Sequence, residues 1–283
     1  MTEREAAPAA PAEQGSSNLL MRVLATAVLA PLAIAIAWFG GWLWVLLVMS
    51  ATIGLYVEWL LVVGLAREWR AVVPGVAGLL IAGICLIAGR LDGALIALGI
   101  GLLAVALLSP ERRHWSAAGF LYAAAAEVAS VLVRQDPVYG FAALFFVLLV
   151  VWAADIGGYF AGRGIGGPKL WPRVSPKKTW AGAIGGFSGS LAVAGVFAAA
   201  AGGGKTGPLL ALAAFLSVIS QLGDLFESAV KRRFGVKDSS HIIPGHGGLL
   251  DRLDGLVAAI VAAAILGFLR GGADGVGRGL MVW

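Results

Sequence analysis

The chain has one cysteine, Cys85, and it sits inside an apolar run. An intrachain disulfide and a cysteine-based zinc site are therefore both excluded. Charge is scarce as well. Asp, Glu, Lys and Arg make up 13% of the 283 residues, where a soluble domain carries about a quarter. No internal repeat is visible, and the long apolar runs do not alternate with polar residues, which argues against a membrane β-barrel. What remains is 59% apolar, with a mean hydropathy of +0.89. That composition describes a helical integral membrane protein.

The first stretch, MTEREAAPAAPAEQGSS, is rich in Ala, Pro and polar residues and reads as a disordered tail. Glu3, Glu5 and Glu13 outnumber Arg4, so it is no secretory n-region, and the apolar run behind it is too long for a cleaved segment. Nine apolar segments succeed one another, near 19–39, 42–63, 72–89, 92–109, 115–133, 138–161, 179–201, 208–230 and 250–270. Most are long enough to cross about 30 Å of hydrocarbon. The fifth, WSAAGFLYAAAAEVASVLV, holds Glu127 and several small residues and is expected to be tilted or buried against its neighbours. The expectation is an all-α polytopic membrane protein of about nine transmembrane helices. Its parts are a tail over 1–17, N-terminal transmembrane helices over 18–135 and a C-terminal transmembrane catalytic region over 136–283.

Alternate loops divide the basic residues unequally. Arg90, Arg134, Lys205, Arg270 and Arg278 fall on one side, and the remaining 16 of the 21 fall on the side of the N-terminus. The positive-inside rule makes that richer side cytoplasmic and puts the C-terminus outside. Topology alone accounts for basic loops such as REWR and ERRH. Tryptophans including Trp38, Trp42, Trp44, Trp59 and Trp69 fall near expected span ends and read as interfacial anchors.

Two stretches on the basic side hold more than topology asks for: 152–182, WAADIGGYFAGRGIGGPKLWPRVSPKKTWAG, and 221–255, QLGDLFESAVKRRFGVKDSSHIIPGHGGLLDRLDG. Asp224 and Glu227 are spaced i, i+3 on the eighth helix, with Ser228 one position on, and Asp251 and Asp254 repeat that spacing at the start of the ninth. Carboxylates in membrane helices face a cavity or a partner. The two sets either ligate a divalent cation such as Mg²⁺, or only neutralise nearby cations, as Asp251 would with Arg252. Lys177, Lys178, Lys231, Arg232 and Lys237 suit an anionic ligand. In PGHGG, Gly247 and Gly248 would let backbone approach a phosphate ahead of a helix N-terminus. His246 would either hydrogen-bond a phosphate, transfer a proton or serve as a structural bridge. Ser175 and Thr179 place hydroxyls around the two lysines of SPKKT, where Ser175 can also cap a helix whose first position is Pro176. Asp155 would position a base, a ribose hydroxyl or a metal-bound water, or pair with Arg163 or a lysine. Glu58 and Glu127 are lone membrane acids and read as packing or pairing residues.

Two glycine-rich stretches are decoys. GRGIGG, 162–167, follows a membrane helix rather than a strand. GGGKTG, 202–207, lacks the first glycine of a phosphate loop, since residue 199 is Ala199.

The ordered pattern Ser228, Lys231, Arg232, Lys237, Asp238 and then PGHGGLLDRLD to Asp254, with GD at 223–224, WAAD and SPKKTW upstream, resembles the phosphatidate cytidylyltransferase (CDP-diacylglycerol synthase) family. The resemblance covers about 152–255. It implies that CTP and phosphatidic acid give CDP-diacylglycerol and pyrophosphate, with Mg²⁺ as cofactor and a second cation left open. Asp224, Asp251 and Asp254, with Glu227 nearby, are then the metal ligands, and Asp224, Asp251, Asp254, Lys237 and His246 the catalytic residues. Asp155, Ser175, Lys177, Lys178, Thr179, Ser228, Lys231, Arg232, Asp238, Gly247, Gly248 and Arg252 are the expected substrate contacts. The partners implied are CTP, phosphatidic acid, the lipid bilayer and a second copy in a homodimer, with no nucleic acid. The place implied is the inner membrane, with the site on its cytoplasmic side. The family usually has an acid where this chain has Ala181. Competing readings are an ion-coupled transporter, which would carry its acids near mid-membrane in paired repeats, and an enzyme using CTP on another lipid.

Overall fold

The computed structural model describes residues 28–109, 112–200, 206–240 and 247–283. The expected tail over 1–17 lies outside them. A first apolar helix, α1 (Val28–Phe39), is followed by eight that are long and apolar enough to cross a membrane. These are α2 (Gly41–Val62), α3 (Trp69–Ile87), α4 (Leu91–Leu108), α5 (Arg113–Gln135), α6 (Gly140–Gly164), α7 (Trp180–Ala200), α8 (Thr206–Arg233) and α9 (Leu250–Gly271). The last eight expected spans correspond to these eight, the first part of the expected span 19–39 lies outside the described residues, and the chain is a multi-pass membrane protein. The weak fifth segment is the most deeply buried of the eight, because its small residues let neighbours close round it. A further short helix, α10 (Val276–Met281), packs on α9 and α6. An added Cβ at Gly277 would lie 2.9 Å from the backbone of Gly140, so glycine permits that approach.

Two hydrophobic cores fill the bundle. One surrounds Tyr56, Trp59 and Phe120, and the other surrounds Phe146, Val147, Leu212, Leu216 and Ile260. Trp59 is not the interfacial anchor expected of it. It is 1% exposed, stacks on Tyr122 and Phe226, and donates its indole N–H to the carbonyl of Trp115 at 2.8 Å. Burial is tolerable there because the one polar atom has a partner. Trp38, Trp42 and Trp69 remain exposed near helix ends.

Between α6 and α7 the chain forms a β-hairpin, β1 (Lys169–Trp171) and β2 (Ser175–Thr179), in which Lys169 pairs with Thr179 and Trp171 with Ser175. This corrects the expected helix entry at SPKKT. Pro176 lies in a strand, and the cap is Thr179, whose Oγ1 accepts the N–H of Gly182 at 3.1 Å.

Helices α6 and α7 approach almost backbone to backbone. An added Cβ would lie 2.6 Å from the Gly185 carbonyl oxygen at Gly157, and 2.5 Å from that of Ala154 at Gly186. Small residues at such spacing are what lets membrane helices pack closely in the absence of a hydrophobic drive. At α8 the seam turns polar. Ser190 Oγ donates to the Val150 carbonyl at 2.9 Å and lies 3.0 Å from Ser217 Oγ, with Gln221 next along α8. With 28 residues, α8 is about 42 Å long at 1.5 Å per residue, more than the hydrocarbon needs.

Gly186→Val should force α6 and α7 apart at a cost of about 1–3 kcal/mol, read as a lower melting temperature in detergent. Gly195→Ala, on the same helix with nothing within 4 Å of an added Cβ, should melt at or above the wild-type temperature.

Candidate active site

A cavity of about 510 Å³ opens between α6, the hairpin, α7 and α8. Its wall includes Asp155, Tyr159 and Arg163 from α6, Lys177, Lys178 and Thr179 from β2, and Gln221 and Asp224 from α8. Glycines 158, 162 and 182 also line it, so the close packing of α6 on α7 leaves room beside the hairpin.

The charges near this cavity form two clusters, each with carboxylates around a lysine. In the first, Lys178 makes an ion pair with Asp224, both about one-third exposed. The same ammonium lies within electrostatic reach of Asp155 and Asp254, so three acids share one cationic focus. Arg252 also acts on Asp155. Asp224 and Asp254 come from different helices, and glycine brings them together. An added Cβ at Gly223 would lie 2.9 Å from the Asp254 carbonyl oxygen, and one at Gly255 would lie 2.6 Å from Ser220 Oγ. The dipeptides Gly223-Asp224 and Asp254-Gly255 thus mark where α8 and α9 nearly touch.

In the second cluster Lys231, 9% exposed, stands 2.8 Å from Glu227 Oε2 and 2.6 Å from Asp251 Oδ1. The approach to Glu227 has the distance of an ion pair without the angles of a hydrogen bond. Asp251 also accepts the N–H of Ser239 at 3.0 Å and that of Gly248 at 3.2 Å. The i, i+3 pairs read along each helix are thus dealt out across helices, and Asp254, within reach of both Asp224 and Glu227, joins the two clusters.

Other expected residues fall further away. Ser228, Lys231, Arg232, Lys237 and Asp238 do not line the cavity. Arg232 reaches the Val236 carbonyl at 3.1 Å, and Lys237 and Asp238 are exposed on the turn after α8. Ser175 is half-buried in β2, and Gly247 carries a φ of +84° ahead of α9. His246 lies outside the described residues. Gly248 is buried, and an added Cβ there would lie 1.8 Å from Ser239 Oγ and 2.7 Å from Glu58 Oε2, so its lack of a side chain serves packing.

Sequence reasoning missed four contributors. Tyr159, Arg163 and Gln221 line the cavity without a motif to flag them, and Arg163 was expected only as an alternative partner for Asp155. Glu58, on α2, accepts hydrogen bonds from Ser239 Oγ at 2.9 Å, Ser240 Oγ at 2.6 Å, Leu249 N at 2.9 Å and Leu250 N at 2.7 Å. Only its rarity as a membrane acid could have pointed to it.

The donor set is all oxygen and suits a hard divalent cation. Among the described residues no three acids or histidines surround a common point at ligand distance. Lys178 and Lys231 stand at the two acidic foci, and Glu227 Oε1 is buried with no hydrogen-bond partner. The ligand type fits Mg²⁺, with the ammonium groups standing where positive charge is needed.

Residues 20–269 match the model of the cytidylyltransferase family. The chain is 42% identical over 259 residues to a phosphatidate cytidylyltransferase of Brucella suis, covering 89% of this chain and 94% of that one. It is 47% identical over 131 residues to a phosphatidate cytidylyltransferase of Haemophilus influenzae, covering 44% of this chain and 46% of the relative. It is 46% identical over 125 residues to one of Bacillus subtilis, covering 43% and 46%.

Lys231→Met should destabilise the protein by about 3–5 kcal/mol, because it leaves buried carboxylates without their cation. Adding Glu227→Gln should recover part of the lost melting temperature. An additive loss in the double variant would show that the two residues do not interact.

Proposed function

The chain belongs to the cytidylyltransferase family, and on that premise we propose that it transfers the cytidylyl group of CTP to phosphatidic acid, giving CDP-diacylglycerol and pyrophosphate. The observation that carries this reading is the cavity itself, lined by Lys177, Lys178 and Arg163 together with Asp155 and Asp224. A lipid phosphate and a water-soluble triphosphate can meet only at the membrane surface, and such a cavity suits two anions that must approach each other.

A phosphate oxygen of phosphatidate attacks the α-phosphorus of CTP, the bond from that phosphorus to the bridging oxygen breaks, and pyrophosphate leaves with the electron pair. No covalent enzyme intermediate is required, because positioning and charge neutralisation suffice for such transfer. Lys177, Lys178 and Arg163 would hold phosphates by charge. Asp224 and Asp254, with Asp155 beside them, are the acids we assign to Mg²⁺, and Glu227 and Asp251 would support them through Lys231. Bound Mg²⁺ supplies positive charge to the triphosphate and to the leaving pyrophosphate. With the acids engaged by Mg²⁺, Lys178 would be released towards phosphate. The excess of basic residues on the loops at this end supports a cytoplasmic placement of the site in the inner membrane. The acids gather at this end rather than at mid-membrane, which favours an enzyme over an ion-coupled transporter.

Purified protein given phosphatidic acid, Mg²⁺ and CTP labelled at the α-phosphate should move label into a lipid that migrates as CDP-diacylglycerol, and EDTA should abolish the transfer. Asp254→Asn should lose about 100-fold or more in turnover while remaining folded. Folded wild-type protein that yields no labelled lipid would overturn the assignment, and normal turnover by Asp254→Asn would remove that residue from the metal site.

A further inference from the structure

We infer that Glu58 is a positioning residue for this site, setting the start of α9 and so the places of Asp251 and Asp254. The inference rests on the reading of the site given above. Glu58 is 0% exposed on a helix far from the catalytic motifs in sequence, and a carboxylate so placed is costly unless its lone pairs are met. Among the described residues its four donors come from two short segments, Ser239–Ser240 and Leu249–Leu250.

The chemistry at α9 explains why an acid is needed from outside. The residue ahead of the helix is Leu249, which has no side chain able to cap, so the first amides of α9 would be orphaned in a buried place. Glu58 accepts two of them, Asp251 accepts that of Gly248, and a negative charge there also suits the helix dipole. Gly248 leaves the space through which Glu58 and Ser239 meet. A slip of α9 by one residue would turn its side chains by about 100° and move them about 1.5 Å. Asp251 would then leave Lys231, and Asp254 would leave Asp224. Glu58 is not among the residues lining the cavity, so its effect on the reaction passes through α9.

The test compares wild type, Glu58→Gln, Glu58→Asp and the Ser239→Ala/Ser240→Ala double variant, each checked for monodispersity and melting temperature in detergent. Turnover of CTP and phosphatidic acid is measured alongside hydrogen–deuterium exchange. Glu58→Gln should lower kcat about 10–100-fold, with both KM values within about threefold of wild type. Glu58→Asp should restore part of kcat, and faster exchange should be confined to Ser239–Ser240 and Leu249–Leu253. Unchanged exchange there would overturn the inference, as would wild-type kcat in folded Glu58→Gln. Should Glu58→Gln fail to fold, the serine variant decides: it removes two of the four donors and should show the same local exchange with a smaller loss of kcat, and wild-type values in both would overturn the inference. If wild-type protein makes no CDP-diacylglycerol, the functional assignment falls, while exchange over Leu249–Leu253 still decides whether Glu58 sets the start of α9.

Discussion

Lys231, held between Glu227 and Asp251, expresses the constraint that organises this end of the molecule. Charge inside a helical bundle in hydrocarbon has to be answered by charge or by hydrogen bonds, since water is not there to do it. Three of the acids brought together here meet that demand with a cation or a set of donors. Asp224 has Lys178, Asp251 has Lys231 with two amides, and Glu58 has two amides and two hydroxyls. The result is an acidic cluster already balanced by ammonium groups.

Such proximity needs space, and glycine supplies it. The α6–α7 seam and the contact of α8 with α9 both depend on backbone approaching within what a Cβ would forbid. One seam shapes the cavity, and the other brings Asp224 to Asp254. The site is therefore as much a product of missing side chains as of charged ones.

The helices were legible because hydropathy and length act on each segment separately, and the alternating loop charges tied their number together. The hairpin was not, because strand pairing over eleven residues gives little pattern and SPKKT also fits a helix entry. Spacing of i, i+3 placed Asp224 with Glu227 and Asp251 with Asp254, yet Asp224 pairs with Lys178 on β2 and Asp251 with Lys231 on α8, which periodicity within one helix cannot see. Trp59 looked like an anchor from its place near a span end, and only the ring of Tyr122 and Phe226 around it explains its burial. The glycines flanking Asp224 and Asp254 were a readable sign of close helix approach. Nothing near Glu58 in sequence showed its role, because its donors lie 181 to 192 residues away.

That separation bears on biosynthesis. A ribosome adding about 5–20 residues per second needs about 10–40 s to travel from Glu58 to Leu250. During that interval α2 sits in or near the bilayer with its acid lacking every donor it will have in the finished fold. Its packing on α3 and α5 can form in that interval, but its acid is satisfied only when the start of the last long span is delivered. Assembly of the acidic site is then coupled to completion of the chain, and a polypeptide released before α9 would carry the cavity residues from Asp155 to Asp224 without Asp251 and Asp254.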